Sequence, residues 1–124
     1  WTTMGHLYKG GMWFKKKSQI SGYTPNTGYN GTDFRTTTIF QSWSISNTLP
    51  SAADAGNYFY LPALGYYSNG QLIHVGYNGF GCYWSSSAHP VVNNWGCELQ
   101  FYSGYATVYA EWRNMGSRTE PRLQ

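Results

Sequence analysis

Charge is scarce in this chain: charged residues make up 10% of its 124 residues, against about 25% in an ordinary globular domain. The length excludes a second independent core. No stretch approaches the ~18 consecutive apolar residues of a membrane-spanning helix. Helical periodicity is almost absent, which excludes a bundle. The two cysteines, Cys82 and Cys97, have no zinc-ligand spacing. Basic residues are few and mostly dispersed: apart from Lys15, Lys16 and Lys17, the arginines Arg35, Arg113, Arg118 and Arg122 stand far apart. A nucleic-acid surface needs a broader basic patch interleaved with stacking rings, so no nucleic-acid partner is expected. The lysine run itself reads as a solvated strand edge, where lysines discourage edge pairing. The chain opens at Trp1 rather than Met and with no basic-then-apolar leader. It reads as an excised domain, a mature product or a fragment, with any export signal absent from this sequence.

Aromatic residues are plentiful: six Trp, twelve Tyr and six Phe. Together with many Ser, Thr, Asn and Gly residues, they give the composition of a recognition surface, where rings supply contact area at small entropic cost. The same rings also favour strands in a plain all-β protein, and composition leaves both readings open.

Short alternating runs separated by Gly, Asn, Pro and Ser predict many short strands. The first is expected from Gly11 to Lys17. Residues 19–57 read as a loop-rich insertion, with one strand over Thr37–Ile45 burying Ile39 and Phe40, and one helical turn over Ser51–Ala55. Tyr58–Ala63 reads as a strand closed by Pro62, and a Gly/Asn-rich connection follows as far as Gly81. In Cys82–Ser87, Cys82 and Trp84 share a face expected to be core. In Cys97–Tyr102, a period of two sets Cys97, Leu99 and Phe101 inside and Glu98, Gln100 and Tyr102 outside. After the turn Ser103-Gly104, Ala106, Val108 and Ala110 point inward, and Tyr105, Thr107, Tyr109 and Glu111 outward.

Four segments in order carry a resemblance: Tyr60-Leu61-Pro62-Ala63-Leu64-Gly65-Tyr66; Gly81-Cys82-Tyr83-Trp84-Ser85-Ser86-Ser87; Leu99-Gln100-Phe101-Tyr102-Ser103-Gly104; and Arg113-Asn114-Met115-Gly116 with Pro121. The series resembles the Fibrobacter-type major paralogous domain of Bacteroidetes surface proteins and pilus-tip adhesins. It covers roughly the second half of the chain. In the closing strand, Thr119 and Glu120 stand where that family has valine and arginine. The resemblance implies a C-type-lectin-like fold, shared with the variable proteins of diversity-generating retroelements, whose C-terminal strands form a scaffold with variable exposed residues. The helical portion usual at the start of that fold has no counterpart here, so the chain reads as a C-terminal piece leaning on an upstream domain of the same protein.

Catalytic patterns are weak. His6, His74 and His89 lie apart in the sequence, with no metal-ligand spacing. Ser85, Ser86 and Ser87 lack a nucleophile elbow. Glu98 and Glu111 are expected on neighbouring strands, as a glycosidase pair requires, but on an open face. Glu120-Pro121-Arg122 puts an arginine where a calcium-binding lectin loop has an oxygen ligand, and Asn93-Asn94-Trp95 runs opposite to the matching strand motif, so no calcium site is expected. Asn30-Gly31-Thr32 is formally a glycosylation acceptor but reads as a turn.

The resulting expectation is an α+β but mostly β fold of C-type-lectin-like architecture, with short antiparallel strands, long loops and little helix, and a single ligand-binding domain over 1–124. Its expected function is non-catalytic recognition at a cell or phage surface, extracellular, without cofactor, toward a host or bacterial surface protein or a glycan. The alternative is a structural or assembly domain of a surface or pilus protein; a glycan-active enzyme ranks below both. The expected contact residues are Tyr102, Tyr105, Thr107, Tyr109, Glu111 and Trp112 on the last strands, with Asn114, Met115 and Arg118 from the following loop. Cys82 and Cys97 are expected to form a disulfide, since both are read as pointing into the core; two buried free thiols are the alternative.

Overall fold

A computed structural model of the chain describes residues 2–3, 6–7, 10–28, 30–33, 35–36, 41–75, 77–117 and 119. Arg118, the expected buried pair Ile39 and Phe40, and the Glu120-Pro121-Arg122 segment lie outside the described residues. Among those described, ten strands form and helix is confined to two single 3-10 turns, Lys17–Gln19 and Ala55–Asn57. The strands are β1 (Thr2–Thr3), β2 (His6–Leu7), β3 (Gly11–Lys15), β4 (Gln41–Ser44), β5 (Tyr58–Pro62), β6 (Tyr66–Ser68), β7 (Gln71–Ile73), β8 (Gly81–Ala88), β9 (Trp95–Tyr102) and β10 (Tyr105–Trp112). Every strand pair is antiparallel. The protein is mostly β, as its alternating pattern predicts.

The main sheet has the order β4-β10-β9-β8, and the ribbon β3-β5 packs on one of its faces. Alternation explains the contact. Met12 stands opposite Leu61 and Phe14 opposite Phe59 on one side of the ribbon. These residues, with Ala63, meet Tyr83, Phe101 and Ala106 of the sheet, and Leu99 packs against the same core. Phe101 is fully buried, with its ring edge-on to Phe14 at 5.7 Å and stacked with Tyr83 at 6.0 Å. The Tyr83 hydroxyl donates to the Pro62 carbonyl at 2.7 Å, so a buried polar group is satisfied while sheet and ribbon are joined. Gly81 is required beneath this cluster, because a Cβ there would enter the Phe101 ring.

The 19–57 segment is more than an insertion, since Gln41–Ser44 pairs with β10 as an edge strand of the main sheet. Within it, Asn30 Oδ1 accepts the Thr32 backbone N–H at 3.1 Å, the side-chain turn expected there. Nearby, the Arg35 guanidinium pairs with Asp33 and holds its carboxyl down at about 2. In the lysine run, Lys16 Nζ donates to the Gly56 carbonyl at 2.8 Å, while Lys15 and Lys17 are exposed.

The stretch between Pro62 and Gly81 is not an unstructured connection. It contains the hairpin β6-β7, turned at Asn69-Gly70, both with positive φ. That pairing of residues is the signature of a tight two-residue hairpin turn. No helix among the described residues is long and apolar enough to cross a membrane.

Candidate functional site

The sheet face turned away from the β3-β5 ribbon carries the even residues of β9 and the odd residues of β10. Gln100 pairs with Thr107 and with Cys82, Glu98 with Tyr109 and with Trp84, and Tyr102 with Tyr105. Glu111 faces Gly96, so it is a diagonal neighbour of Glu98. Sequence alternation puts this whole face in solvent, but the fold covers its middle. Two connections hold that cover in place: Gly65 donates its N–H to the Phe80 carbonyl at 3.2 Å, and Tyr67 and Gly116 exchange both backbone hydrogen bonds at 2.9 Å. Tyr66, His74 and Phe80 thereby come to lie over the sheet, together with Met115 and Ser117.

Between this cover and the strands is a cavity of about 100 Å³ lined by Tyr66, His74, Phe80, Cys82, Glu98, Gln100, Tyr102, Glu111, Met115 and Ser117. Its rings touch one another: Phe80 lies 4.6 Å from Tyr102, 5.4 Å from His74 and 5.9 Å from Tyr66. At its floor Glu98 is buried, 1% exposed. Its Oε2 accepts from the Ser117 hydroxyl at 2.9 Å and the Cys82 thiol at 3.0 Å, and its Oε1 from the Gln100 amide at 2.5 Å. Burial, reinforced by the Glu98 carboxylate, pushes the Cys82 thiol well above its ordinary range. Burial also raises Tyr102, ahead of the smaller effect of neighbouring Tyr105.

The expected contact residues divide. Tyr102, Glu111 and Met115 line the cavity. Tyr105 and Tyr109 are exposed on the same face, 42% and 38%, and Tyr105 stacks on Tyr102 at 4.9 Å. Thr107, expected outside, is buried. Trp112 is exposed but on the opposite face, because its even number places it with Ala106 and Val108; its ring lies 6.1 Å from Trp95. Asn114 is exposed. Val108, expected inside, is 37% exposed. Seven cavity residues, Tyr66, His74, Phe80, Cys82, Glu98, Gln100 and Ser117, are absent from the expected contact set. The Asn69-Gly70 turn was the sequence signal for the hairpin that brings the first of them in.

The cysteines do not pair. Cys82 stands opposite Gln100, whereas Cys97 stands opposite Ala110, so the two side chains leave opposite faces of the sheet. Both thiols are free, Cys82 buried and Cys97 half-buried. Cys82 shares a face with Trp84 as alternation predicts, but that face is the outer one, so Cys82 points away from Cys97. Trp84 follows Cys82 to the outer face, where it is half-buried, and its ring lies against Gly96, 3.0 Å from where a Cβ would project.

A second, wider concavity of about 810 Å³ opens beside the β9-β10 turn, lined in part by Trp13, Asn47, Asp54, Tyr58 and Ser103. Tyr102 lines both. No protein-family model, curated protein or solved structure matches the chain. The site is therefore read from its own chemistry.

Proposed function

We propose that this domain is a non-catalytic recognition module of the C-type-lectin-like kind. It is displayed at a cell or phage surface and binds a surface protein or glycan through the outer face of β9 and β10. The observation that carries this reading is the continuity of that face: a ring-walled polar cavity passes through Tyr102 to the exposed rings of Tyr105 and Tyr109. Rigid amphipathic rings around a few fixed polar groups are what specific recognition uses. The resemblance of the second half to the Fibrobacter-type major paralogous domain supports the same reading.

Chemistry at the cavity also supports a non-catalytic role. The thiolate is the reactive form of cysteine, and here burial holds the Cys82 thiol protonated. Three of the roughly four acceptor positions of the Glu98 carboxylate are taken by donors from its own fold.

The test is a glycan array and a cell-surface binding assay on the isolated chain, repeated with Tyr105→Ala/Tyr109→Ala. Binding by the parent and its loss in the double variant are expected. Undiminished binding by the double variant moves the site elsewhere, to the wider concavity or the 19–57 segment.

A second reading, a structural domain that packs on a neighbour, rests on Val108 and Trp112. They occupy the core face of the sheet yet remain 37% and 51% exposed. Exposed apolar patches seek a partner. A concentration-dependent dimer in sedimentation, abolished by Trp112→Ser, would favour it.

A further inference from the structure

We infer that the cavity on the outer sheet face receives a primary ammonium group of the ligand. The inference rests on the recognition reading and names the chemistry that the site would recognise.

The cavity holds two of the chain's five acidic residues, Glu98 and Glu111. Every hydrogen bond described at Glu98 is accepted by its carboxyl oxygens, from a thiol, a hydroxyl and an amide, and all three donors are neutral. A buried carboxylate ordinarily has a cationic partner, because neutral donors lower the cost of burying the charge without cancelling it. Of the cations described elsewhere, Lys15 and Lys17 are exposed and do not line the cavity, and the others are engaged elsewhere. Arg113 Nε donates to the Trp95 carbonyl at 3.0 Å, Lys16 to Gly56, and Arg35 pairs with Asp33. No salt bridge is made to Glu98 or Glu111 among the described residues.

The rings and the remaining acceptors of the lining point the same way. Tyr66, Phe80 and Tyr102 present rings to the space, and ring faces attract cations. Glu111 Oε1 accepts the Trp112 N–H at 3.0 Å; no hydrogen bond to its Oε2 is made among the described residues. Gln100 donates through its amide nitrogen, leaving its oxygen as an acceptor. A carboxylate has about four acceptor positions, so Glu98 also retains capacity.

Size and hydrogen bonding select among cations. A space of about 100 Å³ suits a compact head on a slender stem. A primary ammonium offers three donors to acceptor-rich walls. A quaternary ammonium offers none and would leave the acceptors desolvated, and a neutral hydroxyl would leave the charge uncompensated. Anions are disfavoured by both carboxylates.

The test follows the Met115 methyl resonance of the intact chain, at constant ionic strength, during titration with n-butylammonium chloride, n-butanol or tetramethylammonium chloride. Saturable shifts with n-butylammonium are expected, with the other two at least about tenfold weaker. Glu111→Gln should weaken n-butylammonium about thirtyfold, the low end of the effect for removing one partner of a desolvated charge pair. Tyr66→Leu should weaken it about threefold, as for loss of one ring–cation contact. Both variants are to be compared at an unchanged melting temperature, and Glu111 is the carboxylate chosen because it is only half-buried.

A second series separates the sources of the group: N-acetyl-lysine methylamide stands for a protein partner, and glucosamine for an amino sugar. Tighter binding by either supports the assignment and names the source. Equal binding of n-butanol, preference for N-acetylglucosamine over glucosamine, indifference to Glu111→Gln, or no response to any ammonium probe overturns it. Loss of cell-surface binding in the Tyr105/Tyr109 variant would in those cases leave the recognition reading standing, so the two failures are distinct.

Discussion

The imidazole of His89 caps the loop between β8 and β9: its Nδ1 accepts the backbone N–H of Val92 at 2.8 Å and of Val91 at 3.2 Å. The ring is nearly buried and stands edge-on to Trp95 at 5.4 Å. One acceptor thus satisfies two amides that the turn leaves without strand partners. His89→Ala should cost about 1–3 kcal/mol, the range for orphaning buried polar groups, and should speed hydrogen exchange at Val91 and Val92 while leaving β10 amides protected. Thermal melting and amide exchange together check this.

Two free thiols are expected in denatured, unreduced protein, counted with a chromogenic disulfide reagent. In native protein Cys82 should react far more slowly than Cys97. A count of zero would restore the disulfide and refute the register of β8 on β9.

The buried Cys82 thiol also sets a pH dependence. Its folded pKa is raised above the ordinary 9.0, so above that pH the unfolded chain gives up a proton that the folded state keeps. Stability is then whole below pH 9 and falls as pH rises beyond it. Urea midpoints at pH 8 and pH 10 should show this fall, and the fall should be smaller in Cys82→Ala.

Phe101 and Tyr105 lie four residues apart across one turn, yet their substitutions should differ greatly. Phe101→Ala removes a fully buried ring and should cost ~3–5 kcal/mol. Tyr105→Ala with Tyr109→Ala should cost no more than about 1 kcal/mol, as at exposed sites. Chemical denaturation separates the two classes.

Gly81→Ala pushes a methyl into the Phe101 ring and should cost about 1–3 kcal/mol, as overpacking does. Gly104→Ala meets no neighbour, and its cost should come from the backbone alone, at φ +113°. Near-UV circular dichroism should change in the first variant and not in the second.

Strand positions were largely legible in the sequence because period-two alternation is a local property: β5, β8, β9 and β10 lie close to their expected ranges. What each face meets is not local. Glu98 reads as a solvent residue by alternation but is buried, because the β6-β7 hairpin folds back over the middle of the sheet. Phe101 reads correctly because the ribbon that covers it is itself strongly patterned. Cys82 shares the face of Trp84, as alternation predicts, but that face is the outer one rather than the ribbon side, and nothing within one strand distinguishes the two. The candidate site was legible in part: Tyr102, Glu111 and Met115 reach it through their strand or loop, whereas Tyr66, His74 and Phe80 depend on a tertiary contact made at Gly65 and Tyr67.

The alternation of β10 also separates positions that heredity must hold for the fold from positions it leaves open. Ala106 and Ala110 are closely packed, and Thr107 is enclosed as well, so these codons are constrained by folding. Tyr105 and Tyr109, interleaved with them, hold exposed positions. Codons within one eight-residue strand thus differ in what mutation can reach: some changes would be lost with the fold, and others would alter the surface directly. A lineage carrying this hairpin can vary two exposed positions, four residues apart, without first acquiring a compensating change in its core.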